Sequence, residues 1–443
     1  MSWSTLEHRE TSTRERRIRR FGASFALGLA LLLPVSGALP GCSSDDTTER
    51  AQTEDGLPQG QFLMGVSLAP LSGLVLPYRV DISDAHVELR AIANDGTVSD
   101  LLAQADGVVP AEDGTFSIDF GGFTMPGAYT PTKSDVDVEL VVNGKLQGND
   151  AFCGDITGKI VTFDLDLAGS TFGAVTYSAD AEAPTSCDGA AAEIPRIDQC
   201  PTVSEGNNTG FPSGDEPREF ELVLPSTYDA GKSYPLVFVY HGFGGKPTDM
   251  LDGVGFRARA DEDDVILAAP KGLESGNGAA WNIATAAPQN VDVALFDDML
   301  KCISESFSVD DQRIYVTGMS NGGLMTGTLI ATRSDVIAAA APFSGGISLP
   351  YVKTDNQPPV LASYGGPTDM AFQQDFEKLA NDMVSELKTE GHFVVLCNHN
   401  QGHHIEASYL PWAMRFLTDH KLGSAPAYSD SLPSVFPDYC SIQ

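Results

Sequence analysis

Ser320 lies two residues after Gly318 and two before Gly322, where a β-like run, RIYVTGM, passes into a helix-like run, GGLMTGTLIATR. A GxSxG turn of this kind is so tight that its flanking residues must be small, and it lifts a serine hydroxyl clear of a sheet as a nucleophile. The helix that begins there aims backbone amides, and the positive end of its dipole, at the place where an oxyanion would develop. A hydroxyl nucleophile needs a base, and the base an orienting acid, which follow such an elbow in the order acid, then histidine. Asp369 follows the strand candidate PPVLASYGG in the loop PTD, and His403 and His404 follow HFVVLCNH in NQGHHIEAS. On the residues alone His404 and His399 rival His403 as the base. Asp375 is the weaker rival for the acid, because FQQDFEKLAND reads as helix. His392, Cys397, His399, His403 and His404 lack the paired spacings of a zinc site, so no metal is expected.

An oxyanion hole needs a second amide beside that of Asn321. The strand YPLVFVYHG runs into HGFGG, whose glycines let the backbone approach an ester oxygen while His241 braces the loop. HGxG and GxSxG thus fall on the strands, and in the order, that acyl transfer requires.

These residues need a scaffold. From about residue 191 the strand candidates EFELVLP, YPLVFVYHG, VILAAP, RIYVTGM, VIAAAAPFSG, PPVLASYGG and HFVVLCNH are near-continuously apolar. They alternate with helical patterns such as DVALFDDMLKCISESF. That texture predicts a mostly parallel sheet covered on both faces, with sites at the carboxyl ends of its strands. Residues 61–190 differ: short alternating runs such as GTFSIDF and SDVDVELVV, broken by turn residues, predict an antiparallel β-sandwich. No nucleophile or ligand cluster stands out there, and aromatics such as Phe116, Phe120, Phe163 and Phe172 read as core.

A chain of 443 residues is long enough for two such domains. It opens with six arginines in residues 1–20, followed by FGASFALGLALLL, a basic and apolar pair typical of an export signal and too short to span a bilayer. The run ends in LPGCSS. This resembles the lipobox of bacterial lipoproteins and makes Cys42 the expected lipidated residue, with Ser43 favouring the outer membrane; an ordinary secretory signal cleaved nearby is the alternative. Any membrane contact would then be through that anchor alone, on a protein at the cell surface, in the periplasm or outside the cell. Residues 43–60 are polar and acidic and read as a flexible tether. Removing residues 1–42, with six arginines and three glutamates, takes the formal charge from -33 to -36, which repels phosphate backbones and excludes nucleic acid as a partner. Six cysteines remain after Cys42, allowing 15 pairings. Their order along the chain favours Cys153 with Cys187 and leaves the other four open.

YPLVFVYHGFGG, then VDVALFDDMLKCISESFSVDDQRIYVTGMSNGG, then a late GxxxD and GH, resemble the poly(3-hydroxybutyrate) depolymerase-like esterases of the α/β-hydrolase fold, which include feruloyl and acetylxylan esterases. The resemblance covers about residues 195–422. It implies an α/β-hydrolase domain behind the small all-β domain, and cofactor-free hydrolysis of a carboxylic ester, polymer-derived or hydroxycinnamoyl. It makes Ser320 the nucleophile, Asp369 the acid and His403, which follows Gly402, the base, with the amides of Phe243 and Asn321 as oxyanion donors. It places Trp281 along the substrate, and His241 and His404 are expected to border it. The sequence departs from the family at GGPTD and GHHIEAS, where GTxD and GHxWPG are common, so substrate preference does not carry over. The alternatives are a surface binding module on a hydrolase-like scaffold, and a serine peptidase of the same fold.

Overall fold

The computed structural model describes residues 56–443, apart from 70–73, 94–95, 132, 149, 179–182, 188–193, 276–277, 284, 286–288 and 350. The expected export signal, Cys42 and most of the expected tether lie outside the described residues. The tether was expected to run to residue 60, yet Leu57 is already buried against the N-terminal core.

The N-terminal sheet contains β1 (Gly60–Leu68), β2 (Leu74–Ser83), β3 (His86–Ala91), β4 (Ala103–Ala105), β5 (Thr115–Met125), β6 (Val136–Leu146), β7 (Ala151–Ile160), β8 (Leu165–Asp166) and β9 (Ser170–Thr176). In β5 Phe116, Ile118 and Phe120 are buried while Ser117 and Asp119 face water, the period-two pattern of a strand with one wet face. The strands pair antiparallel in one continuous path, β4-β3-β2-β1-β9-β7-β6-β5, with β8 alongside β7. Its two ends, β4 and β5, lie side by side, and one apolar core draws on strands along the whole path. The expected all-β antiparallel domain is met, with one strand path in place of the two sheets of a sandwich. Neighbours along the chain mostly pair with each other, so among the described residues no strand leaves for a second sheet, and a single curled sheet produces the same alternation.

The C-terminal sheet holds β10 (Gly206–Pro212), β11 (Pro217–Val223), β12 (Tyr234–Tyr240), β13 (Ile266–Pro270), β16 (Val309–Met319), β17 (Ala339–Phe343), β18 (Val360–Tyr364), β21 (Val394–Asn398) and β22 (Cys440–Ile442). Two small hairpins, β14 (Leu273–Ser275) with β15 (Gly278–Ala280) and β19 (Met370–Ala371) with β20 (Gln374–Asp375), sit outside it. The order is β10-β11-β13-β12-β16-β17-β18-β21-β22, parallel from β13 to β21, with antiparallel strands at both edges. Along β12, Leu236, Phe238 and Tyr240 enter one core and Val237 and Val239 the other. The first core is covered by α2 (Val291–Ser306), α3 (Asn321–Arg333) and α4 (Phe376–Thr389), the second by α1 (Phe256–Glu262) and α5 (Leu410–Asp419). A parallel sheet buried on both faces must be apolar at consecutive positions, as these strands are.

Three disulfides join Cys153 to Cys187, Cys200 to Cys302 and Cys397 to Cys440. The first is the pairing favoured by chain order. Ile197 and Val203 pack into the C-terminal core, so the chain has changed sheets by residue 197. Both sheets nevertheless belong to one compact unit. Val75 N–H donates to Thr285 Oγ1 at 3.3 Å and Ser134 Oγ to Gln374 Oε1 at 3.2 Å across the contact between them.

Candidate active site

Ser320 stands between the end of β16 and the start of α3 with φ 60° and ψ -121°, a left-handed conformation that costs a non-glycine residue about 1–3 kcal/mol. The strain is held by packing. A β-carbon at Gly318 would come within 2.7 Å of the Tyr240 carbonyl, and one at Gly322 would overlap the same oxygen. Either change would push the elbow off the end of β12. The Ser320 N–H donates to Phe343 O at 3.0 Å, and its carbonyl accepts the first helical bond, from Leu324 N at 2.9 Å.

The residues expected as acid and base come from the next two loops. Asp369, wholly buried, closes a short turn after β18, and its Oδ1 accepts from His403 Nδ1 at 2.6 Å. Its Oδ2 accepts from Gly365 N at 2.7 Å and Ser344 Oγ at 2.8 Å. Burial raises the carboxyl pKa, but the bonds from His403, Gly365 and Ser344 outweigh it, and Asp369 is held below the ordinary carboxylate range. The His403 ring rests on Phe376, with centroids 4.5 Å apart.

The rivals occupy other places. His399 is buried with its ring on Tyr409, 4.9 Å between centroids. His404 points to Glu406 at 3.6 Å and is 44% exposed, outside the cavity beside Ser320. Asp375 caps α4 by accepting from Lys378 N at 2.9 Å. Cys397 is taken up in its disulfide.

On the opposite side of Ser320, a β-carbon at Gly242 would lie 3.6 Å from the serine Cβ, so the HGFGG loop passes beside the hydroxyl. Gly244 N–H donates to Ala279 O at 2.8 Å, tying that loop to β15. His241 is 0% exposed, which corrects its expected place beside the substrate. Its Nε2 accepts from Gly272 N at 3.0 Å and its Nδ1 donates to Gly242 O at 2.7 Å, so it braces the loop as a neutral ring, and burial keeps its pKa low. His404, expected to border the substrate, lies outside the cavity and turns to solvent and Glu406. Trp281 does border the site. Its Nε1 donates to His241 O at 2.8 Å and its backbone N–H to Asn321 Oδ1 at 2.8 Å, which fixes Asn321 at the head of α3.

A cavity of about 520 Å³ opens beside Ser320. Phe243, Trp281, Asn321 and Phe372 line it on the catalytic side, and apolar residues of the N-terminal sheet form the opposite wall. Sequence reasoning missed Ser344 and that wall. Ser344 follows β17 in PFSGG, at the carboxyl end where a polar side chain deserved notice. Alternating apolar residues cannot reveal whether the space they face is filled.

Residues 262–397 match the prolyl oligopeptidase family. The chain is 32% identical over 136 residues to the probable feruloyl esterase C of Aspergillus terreus, covering 29% of this chain and 47% of that protein. It is 30% identical over 162 residues to the feruloyl esterase C of Emericella nidulans, covering 35% and 55%. The chain thus spans about half the length of the curated relatives it matches. The crystal structure of native pOPH aligns with a TM-score of 0.46 at 20% identity, over 55% of this chain and 97% of that one. The resemblance read from the motifs is thus met by an α/β-hydrolase sheet order and by curated feruloyl esterases.

Proposed function

We propose that this chain is an exported serine carboxylic-ester hydrolase of the poly(3-hydroxybutyrate) depolymerase and feruloyl esterase type, acting through an acyl-enzyme. The observation that carries the reading is the 2.6 Å bond between His403 Nδ1 and Asp369 Oδ1, at the end of the sheet where Ser320 sits on a strained elbow. With Nδ1–H given to Asp369, Nε2 is left as the acceptor. It takes the Ser320 proton as Oγ bonds to the ester carbonyl carbon, and the oxyanion rests on the amides of Phe243 and Asn321. The C–O bond to the alcohol then breaks, and the leaving oxygen takes the proton from Nε2. Water, deprotonated by the same nitrogen, attacks the acyl-serine, releases the carboxylic acid and returns the Ser320 proton. Asp369 stays ionised throughout and holds the ring. Three disulfides and the basic, apolar N-terminus favour an oxidising compartment, with Cys42 as a lipid anchor.

The test is hydrolysis of short esters by Ser320→Ala, expected to fall roughly a thousandfold or more. Labelling of Ser320 by a fluorophosphonate runs alongside it. A folded protein that neither labels nor turns over would favour a binding scaffold. His403→Ala should lose far more activity than His404→Ala; the reverse order would move the base. A serine peptidase is the second reading, favoured by the prolyl oligopeptidase match, and cleavage of a peptide amide would support it.

A further inference from the structure

We propose that the curled N-terminal sheet is the acyl-binding half of this site, and that the substrate is an ester whose acyl group is an aliphatic chain of about eight to twelve carbons. The inference rests on the esterase reading above and names its substrate class. Three observations carry it.

First, the cavity beside Ser320 is walled by one face of the N-terminal sheet. Val66 and Leu68 of β1, Leu74 and Leu76 of β2, and Val138 and Leu140 of β6 line it at i, i+2 spacing. Val66, Leu68, Leu74 and Leu140 also belong to the N-terminal sheet's own apolar core, so the cavity reaches into that core. Here a space of about 520 Å³ remains, within the roughly 300–1,000 Å³ of small-ligand sites. A methylene fills about as much space as a water, about 30 Å³, so a ten-carbon chain fits with room to spare.

Second, the walls are largely apolar, with the buried Gln374 Nε2 the unpaired donor among them. Beside Ser320, the polar side chains on the cavity are Tyr78, Thr130, Asn282, Asn321 and Gln374. Asn282 and Asn321 are already engaged with Thr285 and Trp281. Beyond the one group that Gln374 Nε2 can meet, a sugar or a phenol carrying hydroxyl and methoxyl groups would leave polar groups unmatched against aliphatic walls at a cost of about 1–3 kcal/mol each.

Third, the cavity lies on the acyl side of the reaction. Phe243, Gly244 and Asn321 line it, and these belong to the loop and helix end beside the oxyanion; His403, which must hand its proton to the leaving alcohol, does not. The alcohol therefore departs towards His403 and the acyl chain points under the N-terminal sheet. Phe372 lines the cavity yet is 59% exposed, its ring 5.4 Å from that of Phe243, which marks where the cavity meets water.

The experiment uses the chain from the tether onward, with p-nitrophenyl esters from acetate to decanoate kept below micelle formation. Each methylene that enters a water-free apolar space should raise kcat/KM about threefold to fourfold, so decanoate should exceed acetate by a hundredfold or more. Lengthening the alcohol, from ethyl to octyl acetate, should gain less than about threefold. Val138→Trp, which narrows the chamber from the N-terminal side, should cut the decanoate-to-acetate ratio tenfold or more. A profile flat or falling beyond butanoate would overturn the proposal, as would octyl acetate gaining as much as decanoate. Labelling of Ser320 by a small ethyl fluorophosphonate separates the two levels. Labelling with a flat chain-length profile rejects the acyl chamber and leaves the esterase; absence of both labelling and turnover rejects both.

Discussion

Gly402 donates its backbone N–H to the Gly365 carbonyl at 2.9 Å, and a β-carbon at Gly365 would overlap the Gly402 carbonyl oxygen. The loop that carries Asp369 therefore lies directly on the loop that carries His403. The glycine before each side chain allows the 2.6 Å bond between them, and neither loop alone would fix it.

Gly365→Ala should separate those loops while leaving Ser320 and its elbow untouched. A displacement of about 1 Å between positioned groups can cost about a hundredfold in rate. We expect kcat for a short ester to fall by that order with KM little changed and fluorophosphonate labelling slowed in parallel. A variant with normal kcat would mean that the Asp369–His403 bond does not depend on this contact.

Ser344→Ala removes one of the donors to Asp369 Oδ2. Because hydrogen bonds to the ionised form are what hold this carboxyl below its ordinary range against burial, its pKa should rise. Protonation of Asp369 would then take the orienting acceptor away from His403 at a higher pH than in the parent. The expected result is an acid limb of the kcat profile displaced upward, with a severalfold loss of kcat at neutral pH. An unmoved acid limb would show that Gly365 N and His403 hold the carboxylate without Ser344.

Burial pushes the pKa of His241, His392, His399 and His420 below the ordinary histidine value. Among the described residues the Nε2 atoms of His392 and His420 lack a hydrogen-bond partner, so a proton there would be stranded. The sign follows from linkage. Above about pH 6.5 folded and unfolded chains both hold these rings neutral; below it the unfolded chain takes up protons first, and stability falls as pH falls. Each ring can add about 1.4 kcal/mol per pH unit to that slope. Tm should be level from pH 7 to 8.5 and drop between pH 6.5 and 5, before most carboxylates titrate, and His420→Gln should lessen the drop. A Tm maximum near pH 5 would contradict this.

The site was legible in the sequence where chemistry dictates local spacing. Gly318, Ser320 and Gly322 mark a turn that only small residues can make, and Asp369 and His403 each follow an apolar strand at the end where loops gather. The choice between His403 and His404 was not legible from spacing, because adjacent residues differ only in where the chain turns them. His241 looked like a substrate neighbour because it adjoins HGFGG, yet both its nitrogens are spent on backbone partners at Gly242 and Gly272. The N-terminal strands were readable as β by their alternation. Their arrangement as one curled sheet, with a cavity between part of its apolar face and Ser320, depends on long-range pairing and on side-chain volume, neither of which periodicity encodes.

Among the described residues the most buried ion pair lies beside the loop that carries Trp281, and it gives the last prediction. Arg218 and Asp292 are almost wholly buried and bonded to each other; Asp292 Oδ2 also accepts from Asn282 N at 2.6 Å, next to Trp281. Arg218 Nη1 and Nη2 reach Val291 O and Lys271 O, each at 3.4 Å, so the pair ties β11, the start of α2 and the loop after Trp281 together. Asp292→Asn leaves a buried guanidinium without its counter-charge, which should cost about 3–5 kcal/mol in urea unfolding. It should also loosen Trp281, lowering kcat/KM for long acyl esters more than for acetate. Replacing both partners by apolar residues, Arg218→Met with Asp292→Leu, removes the stranded charge and should recover much of that stability without restoring the loop. A cost below about 1 kcal/mol for Asp292→Asn would show that the guanidinium is satisfied by the two carbonyls alone.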